Sequence, residues 1–313
     1  MPNLSSGAGP PTRSEDPDLH AVADALLGLD PDGTAFAACL RGTIDQLLDG
    51  QHTGRWDWQT LRKTEKTHMG TLVEINLHRV FDFADGEAMD YRIAGIEVDC
   101  KFSQMLGGWE FPVESVGHIC LLVWANDDVE RWEAGLIRVN KDLLGAPNRD
   151  LKRKLPRASE GSVLWLYDRP TLPPNLLLRL TDAQRERIFE ARTKTGRASG
   201  QARINELFRS IQKTIIPRTV ILTVGIQDDP MKRARDARLP RHLGHEGFLV
   251  LGHQGSHPAV ARSLGLPVPR KGEFISVRVI RAESGFAGPK AEINSADWRE
   301  ANDNDPVVDA PLL

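Results

Sequence analysis

Residues 96–102, IEVDCKF, place two acids and a lysine on one side of an extended chain. Residues two apart in a strand point to the same side, so Glu97, Asp99 and Lys101 share one face. The alternate residues Val98 and Cys100 belong to an apolar core face. A charged face is either solvated, as on an edge strand with a surface ion pair, or it holds a charged ligand. This segment alone leaves both interpretations open.

Two further carboxylates precede this strand in the chain. Glu74 lies in an amphipathic segment with helical spacing, and Asp90 begins another predicted strand. Carboxylate oxygens bind Mg²⁺, with waters and a substrate phosphate completing its shell. Bound Mg²⁺ activates water and offsets charge on phosphate, and a lysine ammonium can orient the same water. The predicted catalytic residues are Glu74, Asp90, Asp99 and Lys101, with Glu74, Asp90 and Asp99 as Mg²⁺ ligands.

The elements that position these residues fall in the first of two predicted domains. Residues 1–17 are rich in Gly, Pro and Ser and predict a disordered arm. Helical spacing followed by strand patterns predicts a first domain of mixed α/β (α+β) class over residues 18–167, which contains the predicted catalytic residues. Residues 168–175 hold three prolines and predict a linker.

The second predicted domain spans residues 176–285. Helical segments come first, and RTVILTVG, EGFLVLGH and GEFISVRVI then predict strands. Helices followed by paired strands fit a winged-helix-like arrangement, in which one helix enters a DNA groove. Residues 286–313 are polar and predict a poorly ordered tail.

Positive charge is concentrated between residues 181 and 241, although the whole chain has a formal net charge of −3. Bases outnumber acids about two to one in this segment, which is typical of a contact with a polyanion. A solvated helical face is the alternative. The predicted DNA contacts are Arg197, Arg203, Arg209, Lys213, Lys232, Arg233 and Arg235.

The amino-acid composition predicts the cellular compartment of the protein. The three cysteines are scattered and form no CxxC pair, which predicts reduced thiols in the cytoplasm and argues against a thiolate zinc site. No apolar run is long enough to span a membrane, and the first residues do not resemble a signal peptide. We therefore expect a cytoplasmic protein without a membrane partner.

The order Glu, Asp and Asp-x-Lys resembles the PD-(D/E)xK nuclease core, with Met89 where that motif usually has proline. Longer stretches carry a more specific likeness. DQLLDGQHTGRW, LRKTEKTHMGTLVEINLHRVFDFADGEAMDYRIAGIEVDCKFSQMLGGWEFP, PPNLLLRL and MKRARD are similar to the NaeI-type family of type IIE restriction endonucleases. The resemblance runs from about residue 18 to about residue 280.

This resemblance implies a PD-(D/E)xK restriction-endonuclease-like core with a mixed sheet and a C-terminal winged-helix-like domain. It implies a homodimer that cuts double-stranded DNA at a GC-rich palindrome, with GCCGGC expected, and that uses Mg²⁺. By position, the four predicted catalytic residues take the family's active-site roles. The second domain would bind another duplex as effector, and a separately encoded DNA methyltransferase would protect the host genome.

The segment LLDG, residues 47–50, resembles the KxDG motif of DNA ligases, but Leu47 stands where the nucleophilic lysine would be. Leucine has no amine to form a covalent nucleotide adduct, so no strand-joining activity is expected. The alternative interpretation of Asp49 and Gly50 is a helix C-cap.

Two other functions compete with the restriction endonuclease. One is a repair or junction-resolving nuclease on the same core, acting on DNA structure rather than sequence. The other is a winged-helix DNA-binding regulator without catalytic activity. Sequence preference in a cleavage assay separates the two nucleases, and any Mg²⁺-dependent cleavage removes the regulator.

Overall fold

The computed structural model describes residues 9–193, 195–197 and 199–313. Their contacts divide the chain into two compact units, in which residues up to Leu47 join Trp58–Asn175 and residues Leu48–Asp57 join Leu176–Leu313. We call these unit 1 and unit 2. The break after Asn175 falls at the end of the proline-rich segment, whereas nothing in the sequence indicated that residues 48–57 would pack with unit 2.

Among the described residues, four helices precede the first strand and the other six lie between Leu176 and Ser263. The helices are α1 (Pro17–Leu29), α2 (Thr34–Leu48), α3 (Gly50–Thr53), α4 (Lys63–Phe81), α5 (Leu176–Arg179), α6 (Asp182–Phe189), α7 (Gly200–Ser210), α8 (Arg218–Gly225), α9 (Pro230–Asp236) and α10 (His257–Ser263). The strands are β1 (Ala84–Asp85), β2 (Tyr91–Ile93), β3 (Ile96–Ser103), β4 (Glu110–Phe111), β5 (Ile119–Asn126), β6 (Arg131–Arg138), β7 (Arg153–Lys154), β8 (Leu164–Trp165), β9 (Phe248–Leu251), β10 (Ile275–Arg281), β11 (Lys290–Ile293) and β12 (Ala296–Glu300). Short 3₁₀ turns occur at Trp58–Thr60, Val113–Ser115, Lys141–Leu143, Arg157–Ser162 and Gly244–Glu246.

Unit 1 is built on a mixed sheet with the strand order β1-β2-β3-β5-β6-β8. Strands β3 and β5 are parallel, and the other neighbours in this sheet are antiparallel. The predicted α/β fold with a mixed sheet is therefore confirmed. Strand β3 lies between β2 and β5, so the alternative of a solvated edge strand is wrong.

A tight hairpin joins β2 to β3 and sets the register of the predicted site. Ala94 and Gly95 both have positive φ, 52° and 80°, as a two-residue type I′ turn requires. The ladder pairs Tyr91 with Val98. Continuing that register by one residue places Asp90 opposite Asp99, so the hairpin brings two predicted catalytic carboxylates to adjacent strands.

Two predictions about unit 1 are wrong. The predicted disordered arm reaches residue 17, but Asp16 is buried, caps α1 through Leu19 N and accepts two hydrogen bonds from Arg138. Residues 1–8 of that arm lie outside the described residues. The sequence KDLLGAPNRDLKRKL, residues 141–155, predicts a helix, but the structure has a 3₁₀ turn followed by the short strand β7.

Unit 2 combines helices α3 and α5–α10 with an antiparallel sheet of order β11-β12-β10-β9. The winged-helix arrangement of this unit stays a prediction. The segment RTVILTVG is helix α8, not the predicted strand. Val220, Ile221 and Val224 share one face of this helix and are buried in the core of the unit, and this tertiary packing outweighs the β-propensity of the run.

The predicted polar tail is also wrong, because β11 and β12 lie in it. Ala291, Ile293 and Trp298 are buried in the apolar core around β10. Asn294 and Ser295 have φ of 52° and 61° and form the two-residue turn between the strands. Among the described residues, no helix is both long and apolar enough to cross a membrane.

Candidate active site

Asp99 is the centre of the site and is only 5% exposed. It accepts hydrogen bonds from Lys101 Nζ and, on its other carboxylate oxygen, from Ser115 Oγ at 2.6 Å. Burial alone would raise the pKa of Asp99, but the hydrogen bonds from Lys101 and Ser115 outweigh it, and the net pKa is lowered. Asp99 is therefore a carboxylate at neutral pH, held from two sides.

Asp90 lies beside Asp99 and accepts a hydrogen bond from the backbone N–H of Cys100 at 2.7 Å. Burial, followed by the interaction with the Asp99 carboxylate, raises the pKa of Asp90 to about 6. Two carboxylates this close repel each other unless a proton or a cation compensates their charge. The pair is therefore a place where a cation is favoured.

Glu74 reaches the site from helix α4, which packs on β3. Burial raises the pKa of Glu74, Lys101 opposes this effect, and the Asp99 charge adds to it. The Tyr91 hydroxyl donates a hydrogen bond to the backbone carbonyl of Glu74 at 2.8 Å and ties the helix to β2. The structure thus brings all four predicted catalytic residues into one electrostatic environment.

Glu97 lies on the charged face of β3, and its carboxylate binds the backbone of a neighbouring loop. Its carboxylate accepts hydrogen bonds from the backbone N–H groups of Glu87, Ala88 and Met89 at 2.9–3.1 Å. These donors lower the pKa of Glu97 to about 2. Glu97 thereby orders the loop that leads into Asp90.

Sequence reasoning placed Glu97 on the charged face of β3 without its role, and it missed Ser115. Glu97 carried a signal, since it alternates with Asp99 and Lys101 along the strand. Ser115 carried none, because it lies in a 3₁₀ turn 16 residues after Asp99 and is brought there by the tertiary fold.

The donor chemistry of the site fits Mg²⁺. All its candidate ligands are hard carboxylate oxygens, and Mg²⁺ is commonly held by one or two carboxylates plus waters and substrate phosphates. Among the described residues, no group of three Asp, Glu, His or Cys side chains is arranged to hold a metal ion. The Asp90–Asp99 pair meets the two-carboxylate requirement, and Glu74 is not part of a preformed set of three ligands.

Lys101 is an ammonium group at neutral pH. Burial would lower the pKa of Lys101, but the hydrogen bond and charge of Asp99 outweigh it, and the pKa is raised. Its Nζ also contacts the backbone carbonyl of Cys100 at 3.2 Å. A fixed cation next to two carboxylates can stabilise charge on phosphate oxygens or donate a hydrogen bond to water, but it is a poor general base.

Two of the predicted DNA contacts in unit 2 are used inside the protein. Arg203 donates to the carbonyls of Val224 and Gly225 at 2.7 and 2.6 Å and caps the end of α8. Arg209 forms a bidentate ion pair with Glu246 at 2.6 and 2.8 Å, and a further ion pair with Glu206.

The other predicted DNA contacts in unit 2 are either in ion pairs or exposed. Lys213 pairs with Glu300 at 2.7 Å, and Arg233 lies 3.7 Å from Asp236. The side chains of Arg197, Lys232 and Arg235 are exposed.

The ligase-like position Leu47 is buried in α2. Asp49, not Gly50, adopts the left-handed conformation after α2, and Gly50 begins α3. A Cβ on Gly50 would lie 2.0 Å from Thr223 Oγ1, so close packing against α8 requires the glycine. Gly50 is therefore not a helix C-cap, and Asp49 is the residue that separates α2 from α3.

Comparison with known proteins agrees with the geometry. The family described as restriction endonuclease NaeI matches residues 20–309. The type II restriction enzyme NaeI of Lentzea aerocolonigenes is 51% identical over 300 residues, which cover 95% of each chain. The predicted resemblance is confirmed, and the chain belongs to the NaeI family of type II restriction endonucleases, which are site-specific DNA-cleaving enzymes.

Proposed function

We propose that the protein hydrolyses both strands of duplex DNA at a GC-rich palindrome in a Mg²⁺-dependent reaction. The observation that supports this most directly is the Asp90–Asp99 carboxylate pair with Lys101 Nζ bonded to Asp99. The recognised sequence expected of a member of this family is GCCGGC.

Asp90 and Asp99, with Glu74 beside them, would hold the metal ion. The bound ion supplies an activated water and offsets charge on the scissile phosphate. Lys101 Nζ keeps its protons and donates a hydrogen bond to the attacking water or to a phosphate oxygen. Hydrolysis joins the water oxygen to phosphorus and breaks one P–O bond of the backbone.

The assembly that performs this reaction is a homodimer, on our proposal. A palindrome has two-fold symmetry, so each subunit reads one half-site and cuts one strand. A separately encoded DNA methyltransferase would protect host sites from cleavage.

Unit 2 would bind a second duplex that stimulates cleavage. The exposed cations Arg197, Lys232 and Arg235 support this proposal, because they remain accessible to phosphates. Arg203 and Arg209 do not support it, because their guanidinium groups bind other parts of unit 2.

The test is digestion of supercoiled plasmids that carry no, one or two GCCGGC sites, with Mg²⁺ or with EDTA. We expect Mg²⁺-dependent cutting at the sites and faster cutting of the two-site plasmid. Equal rates on one and two sites would refute effector stimulation. Cutting of the plasmid without sites would refute the sequence specificity, and no cutting of any plasmid would refute the proposed activity on this sequence.

A further inference from the structure

A groove of about 580 Å³ lies in unit 1 along the continuation of the catalytic strand. Its lining residues include Lys63, Lys66, Thr67 and Gly70 on one side, and Met105 and Lys154 on the other. Lys63, Thr67 and Gly70 follow the spacing of one helical face of α4. Glu74 comes next on that face, so the groove leads toward the candidate active site.

The charge of the groove suits a polyanion. Lys63, Lys66 and Lys154 line it, and none of its lining residues in the described part of the chain is acidic. The positive charge of Lys154 is partly offset, since its Nζ lies 3.5 Å from the Glu110 carboxylate. Along α4, the 11 steps from Lys63 to Glu74 span about 16 Å, or roughly five base-pair steps.

Gly70 has no structural reason to be glycine. It lies in the interior of α4, where glycine is less favourable than alanine by about 1 kcal/mol. A Cβ at Gly70 would meet no atom within 4 Å, so packing inside the protein does not exclude a side chain. Because Gly70 faces the groove, the missing side chain leaves room for a ligand backbone to approach the helix closely.

The opposite wall presents an apolar loop that is held in place. Met105 is 75% exposed and Leu106 is 48% exposed. The loop is nevertheless ordered: Ser103 Oγ and Gly108 N both donate to the carbonyl of Met105, at 2.7 and 2.8 Å, and Trp124 Nε1 donates to that of Gln104 at 2.9 Å. A fixed, exposed apolar loop is typical of a surface that meets a partner.

We propose that this groove binds one strand of the substrate duplex. Lys63 and Lys66 bind phosphates, Gly70 admits the sugar–phosphate backbone, and Met105 lies against a base. Apolar side chains that contact base steps beside phosphate-binding cations are a recurrent arrangement in DNA-binding proteins. The inference rests on the proposed function, since it concerns the DNA that the site would cut.

The first test compares Gly70→Ala with Gly42→Ala. Gly42 lies inside α2, and its Cβ would also meet nothing within 4 Å. Both variants are expected to raise the Tm by about 2–4 °C, since alanine favours helix. Only Gly70→Ala should weaken binding of a GCCGGC duplex in EDTA, and it should lower kcat/KM with Mg²⁺ by roughly 10- to 100-fold.

The second test measures the salt dependence of duplex binding in EDTA. The double variant Lys63→Gln/Lys66→Gln should reduce the slope of log Kobs against log[salt] by about 1.8, because two phosphate contacts are lost. The exposed Lys141→Gln is the control and should leave the slope unchanged. Met105→Ser should weaken binding without changing the slope, because the contact that it removes carries no charge.

The two proposals fail in different ways. A wild-type protein that cuts no DNA refutes the proposed function, while duplex binding in EDTA still tests the groove. The groove is refuted as a DNA-binding site if the wild-type protein cuts DNA and Gly70→Ala binds and cuts like Gly42→Ala. An unchanged salt slope for the double lysine variant also refutes it.

Discussion

Ser115→Ala tests how Asp99 is kept charged in a buried position. The Ser115 side chain is fully buried, and its Oγ donates to Asp99 at 2.6 Å. Alanine removes the donor without leaving an unpaired hydroxyl. The carboxylate then depends on Lys101 and on the weaker contact from Cys120 Sγ at 3.5 Å.

The magnitude follows from the strength of a hydrogen bond to a charged group, about 1.5–3 kcal/mol. The loss of this hydrogen bond raises the pKa of Asp99, and the carboxylate form of the folded protein loses that stabilisation. The folded-state pKa of Asp99 is lowered in the wild type, so this carboxylate stabilises the fold above its unfolded pKa of about 3.9 and loses that effect as pH falls. The destabilisation by Ser115→Ala is therefore full at pH 7 and shrinks below about pH 5.

The assay is urea unfolding of the full chain followed by tryptophan fluorescence between pH 4 and pH 8. Ser276→Ala is the matched control, because Ser276 is equally buried but donates to the neutral carbonyls of Phe208 and Ile211. It should cost about 1 kcal/mol at every pH. A Ser115→Ala destabilisation that does not change with pH, as in the control, would show that Ser115 is not a donor to an ionised Asp99.

Three further predictions concern unit 2. Arg203→Gln should lower the free energy of unfolding by about 1–3 kcal/mol, because it removes the cap of α8. The slope of log Kobs against log[salt] for DNA binding should stay unchanged, and a lower slope would mean that Arg203 contacts phosphate. The double variant Lys232→Gln/Arg235→Gln should reduce the salt slope for binding of a second duplex by about 1.8 without loss of Tm, and an unchanged slope would place the effector elsewhere. Trp298→Ala should cost about 3–5 kcal/mol in chemical denaturation, because Trp298 belongs to the core; a change below about 1 kcal/mol would contradict that placement.

The strand that carries Asp99 and Lys101 of the candidate site was predictable because its signal is local. Alternation along β3 placed Asp99 and Lys101 on one face, and the short hairpin places Asp90 beside them. Glu74 followed from the helical period of α4 and from the resemblance to a nuclease family. The placement of Asp90, Asp99 and Lys101 needed only the spacing of residues close in sequence, whereas Glu74 also needed the resemblance.

The inferences that failed depended on distant partners. The β-branched run of α8 predicted a strand, but packing against other helices of unit 2 buries one helical face. Arg203 lies in a segment rich in basic residues and was therefore predicted to contact DNA. The helix end that it caps instead lies 21 residues further along the chain. The polar composition of residues 286–313 concealed the few apolar side chains that join the core, Trp298 among them. Periodicity and composition contain no information about such tertiary neighbours.

The most direct test of the catalytic centre is cleavage by Asp99→Asn. Asparagine keeps the size of the side chain and its ability to accept from Ser115 Oγ, but it removes the charge that pairs with Lys101 and would hold the metal ion. With Mg²⁺ and a plasmid carrying two GCCGGC sites, we expect no cleavage above background, while the variant remains folded and binds the duplex in EDTA. Cleavage at the wild-type rate would contradict the assignment of this centre.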